Sequence, residues 1–303
     1  MKYYLLLFLA CLLGGGRLIF HKLFVKRFGS GVEGAMWFSV LSSLLFVGMM
    51  LAIGQAVTFT AFSVVMALLF AVANVACNIC GFASLATGTV SAYTLFLQLG
   101  GMLIPFLYGV TLANESPSVL KLICMVLITA ALAINVGRPG KEGSARKALG
   151  YNLGIFLSNG FACIVLSLHQ ADPTPFGATA VDSTAFTLLY VLFTALFSLV
   201  IALFYLWRRR PKDGEAKKPL LTKEIAGKAV LFSGGFGVFY GLGNLLVAIG
   251  LLHIETSAQF PILTGGSLVV AGIVGLFFGE KITRRFLLSA ALVLVGTLLL
   301  LPW

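Results

Sequence analysis

The stretch Leu99–Pro117, LGGMLIPFLYGVTLANESP, decides how this chain is read, because a second stretch, Thr264–Ile282, TGGSLVVAGIVGLFFGEKI, repeats its plan. In each, a Gly-Gly-x-Leu group (Gly100-Gly101-x-Leu103, Gly265-Gly266-x-Leu268) opens an apolar run that a glutamate closes, Glu115 in the first and Glu280 in the second. The two are related by a shift of 165 residues. Apolar runs of roughly 20 residues are long enough to cross a bilayer as helices. The repeat is therefore one of membrane-spanning segments.

Other shifts extend the match. Moving the chain by 148 residues lays Tyr3 on Tyr151, Leu5 on Leu153, Phe8 on Phe156, Leu9 on Leu157, Leu18 on Leu166 and His21 on His169; a shift of 170 lays Asn74 on Asn244. Leucine meets leucine often by chance in such a sequence, whereas a matched asparagine, a matched histidine and a Gly-Gly-to-Glu spacing kept twice do not arise so easily. Ten apolar stretches fall near 3–24, 35–54, 60–81, 88–112, 118–136, 150–170, 183–207, 229–252, 256–278 and 285–302. They predict an all-α integral membrane protein: a first five-helix repeat over 1–138, a basic linker over 139–149 and a second five-helix repeat over 150–303. With five spans per copy, the second enters the bilayer from the opposite side. The repeats are then inverted, a plan that places a substrate site near the midplane between the halves.

Composition agrees. Hydrophobic residues make up 59% of the 303, charged residues 10%, and mean hydropathy is +1.04. A soluble domain carries about a quarter charged residues, so most of this surface is expected to face lipid. The N-terminal Met1-Lys2 and the apolar run after it resemble a secretory signal, but the run continues past residue 20 and has a partner in the second half, which favours a first span. The +11 charge is expected to report topology rather than nucleic-acid binding, since the basic residues lie between apolar runs.

The two-fold five-span plan, the segment Gly279-Glu280-Lys281-Ile282-Thr283, the glycines Gly14-Gly15-Gly16 in span one and the basic pair His21-Lys22 after them resemble the EamA-like ten-helix members of the drug/metabolite transporter superfamily. Asn114-Glu115 stands where that pattern has Gly-Glu, and Leu13 where a tryptophan often precedes the glycine. The resemblance implies export or exchange of a small metabolite, with both termini cytoplasmic. Charge bias implies the reverse, because most of the 21 Lys and Arg fall in the odd-numbered loops, which the positive-inside rule places in the cytoplasm.

Ionisable groups at mid-bilayer cost roughly 2.5–3.5 kcal/mol on insertion scales. Arg17 is the clearest one here: it either snorkels toward the interface near His21 and Lys22 or attracts a carboxylate or phosphate at the edge of a cavity. Uncharged polar residues recur at helical spacing: Asn74 and Asn78 in span three; Ser91, Tyr93, Thr94 and Gln98 in span four; Asn152 and Asn159 in span six; Tyr240 and Asn244 in span eight; Gln259 and Thr264 in span nine. In lipid such groups turn inward. Arg17, Asn74, Asn78, Tyr93, Gln98, Asn159, Tyr240, Asn244 and Gln259 are the candidate substrate-binding residues.

All ten carboxylates lie in loops or at span ends, which disfavours a proton antiporter built on a mid-membrane carboxylate. His21, His169 and His253 sit near span ends and are expected to be hydrated there. Glu115 and Glu280 are expected to connect helices, with Ser116-Pro117 starting the next one. Pro105 and Pro261 are candidate hinges inside spans. Cys77-x-x-Cys80 has redox or metal spacing, but its apolar setting points to packing, as for Cys11, Cys124 and Cys163. The expected protein is a multi-pass secondary transporter of the cell (inner) membrane and not an enzyme. It carries an amino acid-like or other small organic solute by alternating access, needs no metal or cofactor, has lipid and substrate as partners and no nucleic acid, and is a monomer or homodimer. A polytopic membrane enzyme or scaffold is the rival reading.

Overall fold

The computed structural model describes residues 2–28, 31–87, 90–113, 115–116, 118–134, 142–171, 174, 177–208, 223–277 and 284–299. Among them the chain forms ten helices: α1 (Lys2–Phe28), α2 (Val32–Ala52), α3 (Ala61–Thr87), α4 (Val90–Thr111), α5 (Val119–Ile134), α6 (Glu142–Gln170), α7 (Ser183–Arg208), α8 (Lys223–Leu251), α9 (Thr256–Phe277) and α10 (Arg284–Leu298). Each of the ten expected spans coincides with one helix. Six are long and apolar enough to cross a membrane, and Phe96–Thr111, Val119–Ala131 and Leu287–Gly296 are shorter apolar segments. The protein is a helical, multi-pass membrane protein.

The expected ends hold to within a few residues except at α3, which runs on to Thr87 rather than ending near 81, and at α6 and α8, which begin at Glu142 and Lys223 rather than near 150 and 229. Apolar patterning ends where the bilayer does, but a helix can run on into water through good helix formers such as Ala145, Arg146, Lys147 and Ala148. From Glu142 onward the expected linker is thus part of α6.

Polarity is inverted relative to a soluble protein. Leu5, Phe8, Val72 and Trp207 face outward, while Ser63, Asn152, His169 and Gln259 are buried. With no water in the hydrocarbon layer, helices satisfy their own backbone groups and polar side chains turn inward to find partners.

Helices pack mainly across the midpoint of the sequence. α1 lies on α8 and α9, and α6 lies on α3 and α4; α2 packs on α8 and α7 on α3; α2 meets α7, α4 meets α9 and α5 meets α10. Exchanging each helix with the one five places along leaves these pairings unchanged. The two Gly-Gly pairs lie at such crossings. A methyl at Gly100 would overlap the Phe156 carbonyl of α6, and one at Gly101 would stand 2.7 Å from Asn159 Nδ2. One at Gly266 would stand 2.5 Å from Cys11 Sγ on α1. Missing side chains let the backbones approach, the usual way membrane helices pack without a hydrophobic drive between them.

Short links make successive helices antiparallel. One end of the bundle therefore collects the starts of α1, α3, α5, α7 and α9, and we call it the terminal end. The opposite end carries the basic links and is the basic end. At the terminal end Tyr3 stacks on His253 with centroids 3.7 Å apart, and the Thr60 hydroxyl donates to the Thr179 carbonyl at 2.7 Å. The largest apolar cluster fills the bundle toward this end, with Phe46 and Met50 of α2, Phe70 of α3, Leu166 of α6, Phe186 and Tyr190 of α7, Val247 of α8 and Phe260 of α9.

Candidate functional site

The bundle encloses a cavity of about 220 Å3 at mid-depth, between α1, α8 and α9 on one wall and α3, α4 and α6 on the other. That is smaller than the ~300–1,000 Å3 of drug-sized ligand pockets. On α2 and α4 the lining positions lie in the half toward the basic end, from Ala35 to Ser43 and from Tyr93 to Gly101. The apolar cluster of the terminal end closes it from the other side.

Eight of the nine expected site residues line it: Arg17 from α1, Asn74 and Asn78 from α3, Tyr93 and Gln98 from α4, Asn159 from α6, and Tyr240 and Asn244 from α8. Helical periodicity explains the convergence, since residues four apart share a face. The ninth, Gln259, is fully buried elsewhere; its amide donates to the Val247 carbonyl at 2.6 Å and ties α9 to α8, and its Oε1 has no hydrogen-bond partner. Its neighbours Phe260, Leu263 and Thr264 line the cavity in its place. Residue type alone could not place an amide on one side of α9 rather than the other.

Arg17 does not reach for an interface. Its guanidinium carbon lies 4.9 Å from the Tyr240 ring centroid and 5.9 Å from that of Phe236. These two rings, one helical turn apart on α8, are stacked at 5.6 Å. Cation–π attraction of ~0.5–2 kcal/mol offsets only part of the ~2.5–3.5 kcal/mol cost of a cation at this depth. No Asp or Glu lines the cavity, and Arg17 forms no ion pair among the described residues. The cavity thus has a positive centre among neutral polar groups.

Several of those groups hold each other. Asn78 Nδ2 donates to Asn74 Oδ1 at 3.2 Å, and Asn74 Nδ2 to the Tyr240 hydroxyl at 2.5 Å, which joins α3 to α8. Asn159 Nδ2 donates to the Leu97 carbonyl at 2.8 Å, joining α6 to α4. The matching positions of the other half make the matching contact, Cys11 Sγ to the Ile262 carbonyl at 3.7 Å. Asn152 is buried behind the cavity and accepts from the Ser84 hydroxyl at 2.5 Å.

His169 is not hydrated as expected, and His21 is half-buried against the cavity. His169 is 2% exposed, with Nε2 2.9 Å from Ser63 Oγ and Nδ1 2.9 Å from Gln170 Nε2, and the Ser183 hydroxyl donates to Gln170 Oε1 at 2.8 Å. His21 lines the cavity among Phe38, Phe82 and Phe236. Only His253 is exposed. Distance from a span's end does not tell whether neighbouring helices cover a side chain. His21, Ser39, Cys77 and Phe236 are cavity residues outside the expected set; the i, i+4 spacing of Arg17 and His21, and of Phe236 and Tyr240, was the signal for two of them.

Glu115 connects helices, but remotely. Its Oε1 and Oε2 accept the backbone N–H groups of Thr256 and Ser257 at 2.9 and 2.8 Å, capping α9 from the link between α4 and α5. α5 is capped by Ser118, whose Oγ accepts the Lys121 N–H at 3.2 Å, rather than by Ser116. Lys121 pairs with Glu255 and donates to the Ser116 carbonyl at 3.0 Å. Glu280 and the Gly279–Thr283 segment, Asn114, Pro117 and the Arg209–Thr222 link lie outside the described residues, as do the side chains of Ser91 and Thr94. All five cysteines are free thiols in helices, and no group among the described residues could hold a metal.

No protein-family model and no curated protein matches the sequence. Among solved structures 28 chains match. One, described only as "Crystal structure of protein", is 14% identical with a TM-score of 0.68, covering 98% of this chain and 96% of its own. At that identity the likeness shows a shared fold alone.

Proposed function

We propose that this chain is a secondary transporter of the cell (inner) membrane, of the EamA-like drug/metabolite type. In this reading all ten helices span the bilayer as two inverted five-helix repeats. The chain exports or exchanges a small organic solute that is anionic or zwitterionic, bound at Arg17. The observation that carries the reading is a positively charged, carboxylate-free cavity at mid-depth, walled by polar groups from both halves.

Three features support the inversion. The helix pairings survive exchange of the halves. The Asn159–Leu97 and Cys11–Ile262 contacts occupy positions matched by the repeat. The matched histidines lie at opposite ends of α3, His169 against Phe62 and Ser63, His21 against Phe82. Because each half packs mainly on the other, the bodies proposed to rock are interlaced, with α1 and α8 in one and α6 and α3 in the other. With no carboxylate in the cavity, facilitated diffusion or exchange needs no proton.

Counterflow in proteoliposomes with a size-matched series, 4-methyl-2-oxopentanoate, leucine and 3-methylbutylamine, tests this. Flux of the acid or amino acid above that of the amine is expected. Preference for the amine would overturn the charge assignment; no flux of any small solute across a broad metabolite panel would overturn transport.

A further inference from the structure

We propose that the two repeat-matched histidines are clasps that engage in alternation: His169 with Ser63 holds the terminal end shut in the conformation described here, and His21 with Ser233 shuts the basic end in the other. The proposal rests on the alternating-access reading above. It concerns residues that lie outside the expected substrate site.

The engaged clasp is fully assembled. His169 Nε2 is 2.9 Å from Ser63 Oγ, and its ring lies between Phe186, stacked at 3.6 Å and 9°, and Phe62, at 5.8 Å and 9°. Ser63 Oγ also accepts the Val181 N–H at 3.0 Å, so the same hydroxyl ties α3, α6 and the approach to α7. The shifts that align the halves carry all four side chains onto identical ones. Phe62-Ser63 falls on Phe232-Ser233, His169 on His21 and Phe186 on Phe38.

The second set is present but apart. His21 and Phe38 have centroids 5.6 Å apart at 28°, looser than their counterparts. Ser233 is fully buried, and its hydroxyl has no hydrogen-bond partner. A buried polar group left unpaired is costly and uncommon enough to need a reason. Its counterpart Ser63 supplies one, because in that half the same hydroxyl meets the matched histidine. Exchanging one clasp for the other conserves the hydrogen bond, which keeps the two end states close in free energy, as a carrier that must populate both requires.

The test uses Cys77 and Cys163, which line the cavity. Their modification by a small membrane-impermeant methanethiosulfonate, added to one side of vesicles at a time and read by peptide mass spectrometry, reports which end is open. Ser63→Ala is expected to raise labelling from the terminal side by at least roughly threefold, since its hydroxyl meets both His169 and the Val181 N–H. Ser233→Ala, which removes only an unpaired hydroxyl from the conformation described here, is expected to lower it, and the double variant to fall between the two single variants. Shifts that are absent or in the same direction for both single variants overturn the clasp. Cavity cysteines equally reachable from both sides in the wild type would instead overturn alternating access.

Discussion

Arg17 occupies a position where a mid-membrane cation has aromatic neighbours and, among the described residues, no counter-ion. Two rings of α8 hold its guanidinium in place, and in the proposed function the solute supplies the negative partner. Arg17→Gln is expected to lower solute flux at least tenfold while melting in detergent stays within a few degrees, since no ion pair is broken. Arg17→Lys is expected to recover only part of the flux, because a lysine ammonium lacks the planar fork that stacks on rings and grips a carboxylate. Wild-type flux in Arg17→Gln would remove Arg17 from the site. The sequence marked this arginine as an exception within an apolar run, but left open whether it snorkels to an interface or faces a cavity. Gln259 shows the limit at this scale. Its amide was as conspicuous as that of Asn244, yet it bonds the Val247 carbonyl outside the cavity. An amide's choice between a ligand and a carbonyl is made by the neighbouring helix.

Among the elements, α9 depends most on remote partners. Its first N–H groups have no intrahelical acceptors, and Glu115 provides both oxygens for those of Thr256 and Ser257. Glu115→Ala is expected to cost ~1–2 kcal/mol, the range for loss of a cap with its charge at the positive helix end, read as a lower melting temperature in detergent. Lys121→Ala is expected to cost less than ~1 kcal/mol, because Glu255 is 54% exposed and solvent screens the pair. A larger loss for Lys121→Ala than for Glu115→Ala would refute this ranking. A second prediction concerns close helix approach. Gly100→Leu, which drives a side chain into the α6 backbone, is expected to abolish folded protein in a size-exclusion assay, whereas Gly48→Leu, where nothing lies within 4 Å, is expected to be tolerated. Helix existence was legible throughout, because each span is an unbroken apolar run. The first turns of α6 and α8 were not, since hydropathy reports where an apolar run ends and not where a helix ends.

For the molecule as a whole, the basic links predict one orientation and the family resemblance the other. By the positive-inside rule the links are expected in the cytoplasm, with both termini outside. A compartment-sensitive reporter fused to the C-terminus is expected to behave as external, and an active cytoplasmic reporter would reverse the assignment. The sequence by itself determined that this is a ten-helix membrane protein, because lipid demands long apolar runs and those runs can be read one at a time. It also placed one charged group inside those runs, and its matched positions predict a repeat. Only the tertiary structure decided that the halves interlock, that eight of nine candidate residues meet in one cavity, that Glu115 caps a helix from the other half, and that one of two matched serines has its histidine while the other does not. These depend on contacts between residues from about sixty to more than two hundred apart, and which face of one helix meets which face of another is settled by side-chain fit, which no local pattern encodes.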